Sequence, residues 1–303
     1  MKRRQTGNKR TLIIVTLSLM MMVSFNNLHA QDIFGISAGE EYYPGAEIKN
    51  VPEGAPGFKM RTRAQNLKAA FPLMFNDGKI LVKNHINYKR FSIDYRNSPV
   101  QNPDIGHCHA LSYTAFFQDS LSPRWNMVAI LTPGIASDFE GDFSRNEITF
   151  SGVFGFVRKH SKQFQLGYGV AYTHNFGNPI PMPFLYYNWN NGGKLFSEGI
   201  LPTNAGLYYG LHKRVDVGAL FAIGSARYHG DPDKFGVGNP QIEITEGTVS
   251  QLTRIHLTNW VHMDLEGGYA AYRKVQFLDG NDKHDSYRLE PSAYARTRLV
   301  LGI

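Results

Sequence analysis

The chain has 303 residues, with 32 basic and 25 acidic side chains, one cysteine, 30 glycines, 16 tyrosines and 20 phenylalanines. A single cysteine excludes an intrachain disulfide, and the length and aromatic-rich composition suit one β domain. The formal charge of +7 is local: five basic residues and no acid fall before Thr11, leaving 27 against 25, so charge gives no ground for nucleic-acid binding.

Residues 1–30 have the three zones of a secretory signal peptide. Lys2, Arg3, Arg4, Lys9 and Arg10 precede the apolar run Thr11 to Val23, and Ser24 to Ala30 lead to Gln31. Cleavage is expected after Ala30, although Leu28 is larger than usual there. The run is shorter than the roughly 20 residues a helical span needs. No later run reaches that length, so a membrane-embedded mature chain must be a closed barrel.

Past residue 30 the pattern is of strands and turns. Residues 31–57 form an N-terminal unit: a first strand, Ile33 to Tyr43, then a loop rich in Pro and Gly to Gly57. Residues 58–303 are expected to form the barrel. Phe58 to Phe75 and Ile80 to Tyr95 are strands about the turn Asn76-Asp77-Gly78. The faces of the second swap near Tyr88 to Phe91, which predicts a bulge. A loop to Ile105 precedes the strands Cys108 to Phe117 and Trp125 to Ser137.

The clearest stretch is the hairpin Asn146 to Gly177. Phe164, Leu166, Tyr168, Val170 and Tyr172 alternate with Gln165, Gly167, Gly169, Ala171 and Thr173. Its first arm sets Ile148, Phe150, Phe154 and Phe156 against Thr149, Ser151 and Gly155. Successive side chains of a strand face opposite sides, so each arm has one greasy face and one small, polar face. Each arm is long enough to cross a bilayer as a tilted strand of roughly 9–11 residues. A soluble sandwich or a lipocalin-like barrel would alternate similarly. Their solvated faces usually carry Lys and Glu, whereas these carry Gly, Ser, Thr and Gln.

Further strands are expected at Pro179 to Trp189, Lys194 to Leu201, Ala205 to Leu211, Val215 to His229, Ile242 to Leu257, Val261 to Phe277 and, after a loop Leu278 to Ser286, Tyr287 to Ile303. Short turns near Asn76, Ser120, His160, Asn191 and Lys213 then fall on one side. Longer loops near Glu53, Pro99, Glu140, Asn178, Pro232 and Asp282 fall on the other, as in bacterial outer-membrane barrels. The fold expected is an all-β, antiparallel transmembrane β-barrel of about 14 strands. The count is about 12 if the first strand is peripheral and Lys194 to Leu211 is one strand.

Several stretches resemble a family of Gram-negative outer-membrane β-barrel proteins labelled as porins or as domains of unknown function. They are the signal ending in Ala30-Gln31, Phe71-Pro72-Leu73 before the Asn-Asp-Gly turn, Pro183 to Trp189, and Leu201-Pro202 followed by Leu207 to Leu211. The resemblance covers most of the mature chain. It implies a barrel in the cell outer membrane and supplies no catalytic residues. The end, Leu299-Val300-Leu301-Gly302-Ile303, resembles the strand by which barrel assembly machinery takes up such proteins, with Ile303 where phenylalanine is usual.

No catalytic set emerges: there is no G-x-S-x-G, and no spacing joins a serine to a histidine. The expectation is therefore a chain that is not an enzyme and needs no cofactor or metal. His107 and His109 share one strand face, which could chelate a metal but suits a polar rim as well. Asp231, Asp233 and Lys234, like Asp279, Asn281, Asp282 and Asp285, lack a full calcium ligand set.

The charges on strands are more informative. Lys83, His85 and Lys89 oppose Val82, Ile86 and Tyr88; Arg254 and His256 oppose Ile255 and Leu257. His262, Asp264 and Glu266 oppose Val261, Met263 and Leu265, and Arg296 and Arg298 oppose Leu299 and Leu301. With apolar faces on outer-membrane lipid, these residues line the lumen. A charge at the lipid midplane would cost roughly 2–4 kcal/mol. Such a lumen fits a porin-like channel or carrier for a small-molecule solute, or an ion-paired filling that only holds a structural or interaction barrel together. A third alternative is an outer-membrane lipid-modifying enzyme, which would need a serine, a histidine and an orienting polar partner to converge at the lipid-facing rim.

Overall fold

The structure, a computed structural model, describes residues 35–49, 57–96, 107–141, 143–173, 180–235, 237–280 and 282–302. The signal segment 1–30 and Ile303 lie outside the described residues.

Strands run in sequence order as β1 (Gly35–Glu47), β2 (Lys59–Phe75), β3 (Ile80–Arg96), β4 (His107–Ser122) and β5 (Trp125–Ser137). Five shorter ones follow: β6 (Ile148–Lys159), β7 (Phe164–Thr173), β8 (Ile180–Asn190), β9 (Leu195–Leu201) and β10 (Asn204–His212). Then come β11 (Val215–His229), β12 (Pro240–His256), β13 (Val261–Asp279), β14 (Asp282–Arg288) and β15 (Ser292–Gly302). Each pairs antiparallel with its sequence neighbour up to β13, and β1 closes the ring on β15. β14 and β15 pair with successive halves of β13, so they are one strand position interrupted near Pro291. Over the described residues this is a closed antiparallel barrel of 14 strand positions, with almost no helix.

The turn Asn76-Asp77-Gly78 reverses the chain as expected, with φ of 54°, 53° and 83°. Asn and Asp tolerate that left-handed backbone and Gly favours it. The apolar arms of the central hairpin face outward: Phe150, Phe154, Tyr168 and Val170 are exposed, as are Leu67, Leu111, Leu131 and Leu207 around the ring. Such an outward apolar belt is the kind of surface that transmembrane β-barrels present to lipid.

Three expectations fail. β2 and β3 pair without a register shift from Lys59↔Arg96 to Phe75↔Ile80, so there is no bulge near Tyr88. The faces swap because the interior changes character. Lys89 points into a polar lumen, while Phe91 and Ile93, further along the same face, point into an apolar core. Nor is Leu278 to Ser286 a loop: β13 runs to Asp279 and β14 begins at Asp282. The first strand likewise continues past Tyr43 to Glu47, with a register shift between Tyr43 and Ala46 that absorbs Pro44 and Gly45.

That core follows from strand length. β6–β10 have 7–12 residues, near what a bilayer requires, whereas β1–β5 and β11–β13 have 13–19. Above the short strands the long ones bend together. His229 of β11 bridges Ser137 of β5, and Asp138 N donates to His229 O at 3.0 Å. β1–β5 with β11–β14 thus enclose a narrower turret at the loop end. Phe58, Met60, Phe91, Ile93, Cys108, Tyr228, Ile242, Val275, Phe277, Tyr287 and Leu289 fill it. Phe91 stacks on Tyr228 at 5.6 Å and Phe58 meets Tyr287 edge-on at 5.7 Å.

The short wall is held by close approach. A Cβ on Gly169 would lie 2.1 Å from Phe154 O and 2.7 Å from the Phe184 ring. Gly155 faces the same ring, so Phe184 covers a bare patch of β6–β7. Gly169→Val should destabilise the barrel by about 1–3 kcal/mol. A lower urea midpoint in detergent would show it; an unchanged midpoint would mean that the patch is loosely packed.

Candidate functional site

The inward faces of β13, β15, β1, β2 and β3 carry most of the charge. Registers align Asp264, Arg298, Gly39, Asn66 and Lys89 in one row, and Glu266, Arg296, Glu41 and Ala64 in the next. Small residues on β1 leave space between the long side chains of its neighbours.

Asp264 is one hub. Arg254 donates to it through Nε at 2.8 Å and Nη2 at 3.2 Å, Arg298 through Nη2 at 2.6 Å, and His262 Nε2 lies 3.9 Å away. Glu266 is the other. It accepts from Ser250 Oγ at 2.8 Å, from Arg296 Nη1 at 3.0 Å and from the Tyr294 hydroxyl. Glu41 then joins Arg296, at 3.1 Å, to Lys89, at 4.0 Å, and accepts from Asn66 Nδ2 at 3.2 Å. His256 Nε2 sits 2.8 Å from Asp216 Oδ2.

Above this network lies a buried layer. Arg273 stacks over Tyr43, 4.3 Å from the ring centroid, and donates through Nε to Glu246 at 3.2 Å. Tyr43 Oη donates to the other oxygen of Glu246 at 3.0 Å. The turret core closes over it. Among the described residues the charged network is therefore roofed on its loop-end side with aliphatic and aromatic side chains.

The space beneath is a cavity of about 540 Å3, bounded by Ser37, Gly39, Glu41, Asn66, Lys68, Lys89, Arg296 and Arg298. It passes under Ala136 and Tyr228 to Thr149 and Ser151 of β6 and Ser225 of β11. The ladder of β10 leaves β11 at Ala222, and that of β6 leaves β5 at Ile135. The cavity thus reaches the wall beneath the β5–β11 contact. Toward the turn end it adjoins a second space of about 410 Å3 with Lys83, His85, Thr114 and Phe116, the two sharing Lys68 and Asn87. Lys83 Nζ lies over the Phe116 ring at 6.0 Å.

The residues expected to line the lumen divide accordingly. Lys89, Arg254, His262, Asp264, Glu266, Arg296 and Arg298 fall in the network, with His256 beside it on Asp216. Lys83 and His85 stand apart, nearer the turn end. Glu41, Asn66, Lys68, Tyr43, Glu246 and Arg273 were missed. The alternation Met60, Thr62, Ala64, Asn66, Lys68 carried the signal for two of them; Glu40-Glu41-Tyr42-Tyr43 gives no hint of which residue points inward. His107 and His109 face outward at the rim, where Tyr88 Oη is 2.8 Å from His109 Nδ1. Among the described residues no three His, Cys, Asp or Glu side chains converge to hold a metal.

Distant likenesses exist among solved outer-membrane barrels. A mutant of the monoaromatic hydrocarbon channel TodX is 11% identical, with a TM-score of 0.41, over 89% of this chain and 90% of that one. The NanC porin is 8% identical, with a TM-score of 0.37, over 89% and 100%. LpxR from Salmonella typhimurium is 10% identical, with a TM-score of 0.36, over 89% and 100%. Likeness this weak carries none of their activities to this chain, and no curated protein matches its sequence. Residues 26–301 match the family described as a domain of unknown function, DUF6268, and the chain belongs to that family.

Proposed function

We propose that this protein resides in the outer membrane and passes small polar solutes through the charged cavity without catalysis or a cofactor. The observation that carries the reading is the cavity of about 540 Å3 lined by both charge signs, which bends beneath the turret core and adjoins the space at the turn end. Charged side chains that face water in a low-dielectric wall select ions and hydrated solutes by sign. The solute enters past Lys83 and Lys68, crosses between Arg298 and Lys89, and leaves under the β5–β11 contact. The outward Leu299 and Leu301 on the closing strand suit uptake by barrel assembly machinery.

The test is conductance of the purified protein in planar bilayers. Discrete opening events are expected. Lys83→Glu, at the turn-end entrance, should move the reversal potential in a salt gradient toward cation preference without reducing the folded fraction. A second reading, a structural barrel with no pore, draws on the stacked Phe91–Tyr228 roof. Absence of openings in correctly folded protein would favour it.

A further inference from the structure

The outer surface just above the apolar belt holds a ladder of cations that the lumen reading does not use. The outward face of β2 reads Lys59, Arg61, Arg63, Gln65 and then Leu67; that of β3 reads Arg96, Asp94, Ser92, Arg90 and then Tyr88. Register sets Lys59 opposite Arg96, Arg61 opposite Asp94 and Gln65 opposite Arg90. Leu67 opposite Tyr88, both exposed, is the last apolar rung. Lys59 and Arg96 are thus like charges directly opposite, an arrangement that destabilises a sheet face.

Lys59 is answered by Glu47 at 3.2 Å and Arg63 by Glu40. Among the described residues no carboxylate lies within ion-pair distance of Arg61, Arg90 or Arg96, and Arg61 Nε is buried without a hydrogen bond. Beside them, where the β1 register shift places Gly45, is a recess of about 250 Å3 lined by Gly45, Lys59, Arg61, Asp94 and Arg96.

We propose that this ladder binds the headgroup of a phosphorylated glycolipid in the leaflet on the loop side. The proposal rests on the membrane reading above. Guanidinium groups match phosphate oxygens in pairs, so arginines facing a boundary suit that chemistry. The position selects a lipid over a free phosphate: acyl chains along Phe71, Leu67 and Tyr88 bring a headgroup up against Arg90 and Arg63. From Gln65 to Lys59 the ladder spans roughly 20 Å along the strand. It therefore suits a headgroup with more than one anionic group along its length.

The experiment uses the full mature chain folded into phosphatidylcholine vesicles, alone or with diphosphoryl lipid A, and reads the temperature at which the folded gel band converts to the unfolded one. Diphosphoryl lipid A should raise that temperature, and dephosphorylated lipid A should not. The double variant Arg61→Gln, Arg96→Gln should lose the rise while keeping its midpoint in phosphatidylcholine alone. An equal rise in the double variant, or none in the wild type, overturns the proposal. A rise produced by inorganic pyrophosphate alone assigns the site to free phosphate and also overturns it. A chain that forms no folded band in any vesicle overturns the membrane reading itself, a result distinct from the others.

Discussion

Val170→Arg should leave most of the protein unable to reach its heat-resistant folded form in lipid vesicles. Val170 lies on β7, between Phe154 of β6 and Pro183 of β8, and is 55% exposed on the outward face. Its neighbours on that face are Tyr168 and Tyr172, so an arginine there has no carboxylate to meet. At bilayer depth the cost is roughly 2–4 kcal/mol, falling toward the interfaces. Against a total stability of about 5–15 kcal/mol that is a large share. The inward control is Lys83→Ala, which removes a charge from a wet space and should fold in normal yield. Folded and unfolded bands on an unboiled gel measure both. If the two variants behave alike, the assignment of inside and outside is wrong.

Outward faces were legible because one rule repeats along them: every second residue is apolar from Phe164 to Tyr172, and again from Val215 to Ile223. Trp125 to Ser137 and Val215 to His229 have the same bounds in sequence and structure for that reason. The inward faces obey no single rule. Beside the cavity they are charged; in the turret they are Phe91, Ile93, Ile242 and Val275, packed as in a soluble core. A strand that passes from one zone to the other looks, in sequence, like a strand with a bulge. The β5–β11 contact was illegible for another reason. It joins strands six positions apart, and its signal is only that β6–β10 are short.

The site was legible in part. Charges on regularly alternating strands, such as Asp264 and Arg298, declared their face. Which of them meet depends on register across the seam between β15 and β1, and no local pattern fixes that. Glu41 is the clearest loss. It joins the β15 charges to Lys89, yet it sits beside Glu40, whose side chain turns outward to Arg63.

Asp264→Leu should be the most damaging single change inside the barrel. Asp264 is 3% exposed and holds two arginines, Arg254 and Arg298, through four of its contacts at 2.6–3.3 Å. Removing one partner from a buried ion cluster costs about 3–5 kcal/mol, because the charges left behind lose a counterion without regaining their water. The lower end applies here. The Arg298 side chain is 46% exposed and can turn into the cavity, whereas Arg254, at 16%, cannot easily do so. Combining Asp264→Leu with Arg254→Met should therefore recover part of the loss, since the buried cation that loses this counterion is then gone. Glu198→Gln is the comparison. Glu198 is exposed on the opposite wall, where Asn188 Nδ2 donates to it at 3.4 Å, and its loss should move stability little. Urea midpoints in detergent, followed by tryptophan fluorescence, rank the variants. Equal losses at Asp264 and Glu198 would mean that the cluster is as wet as the rest of the lumen and contributes nothing particular to holding the β12–β13–β15 wall.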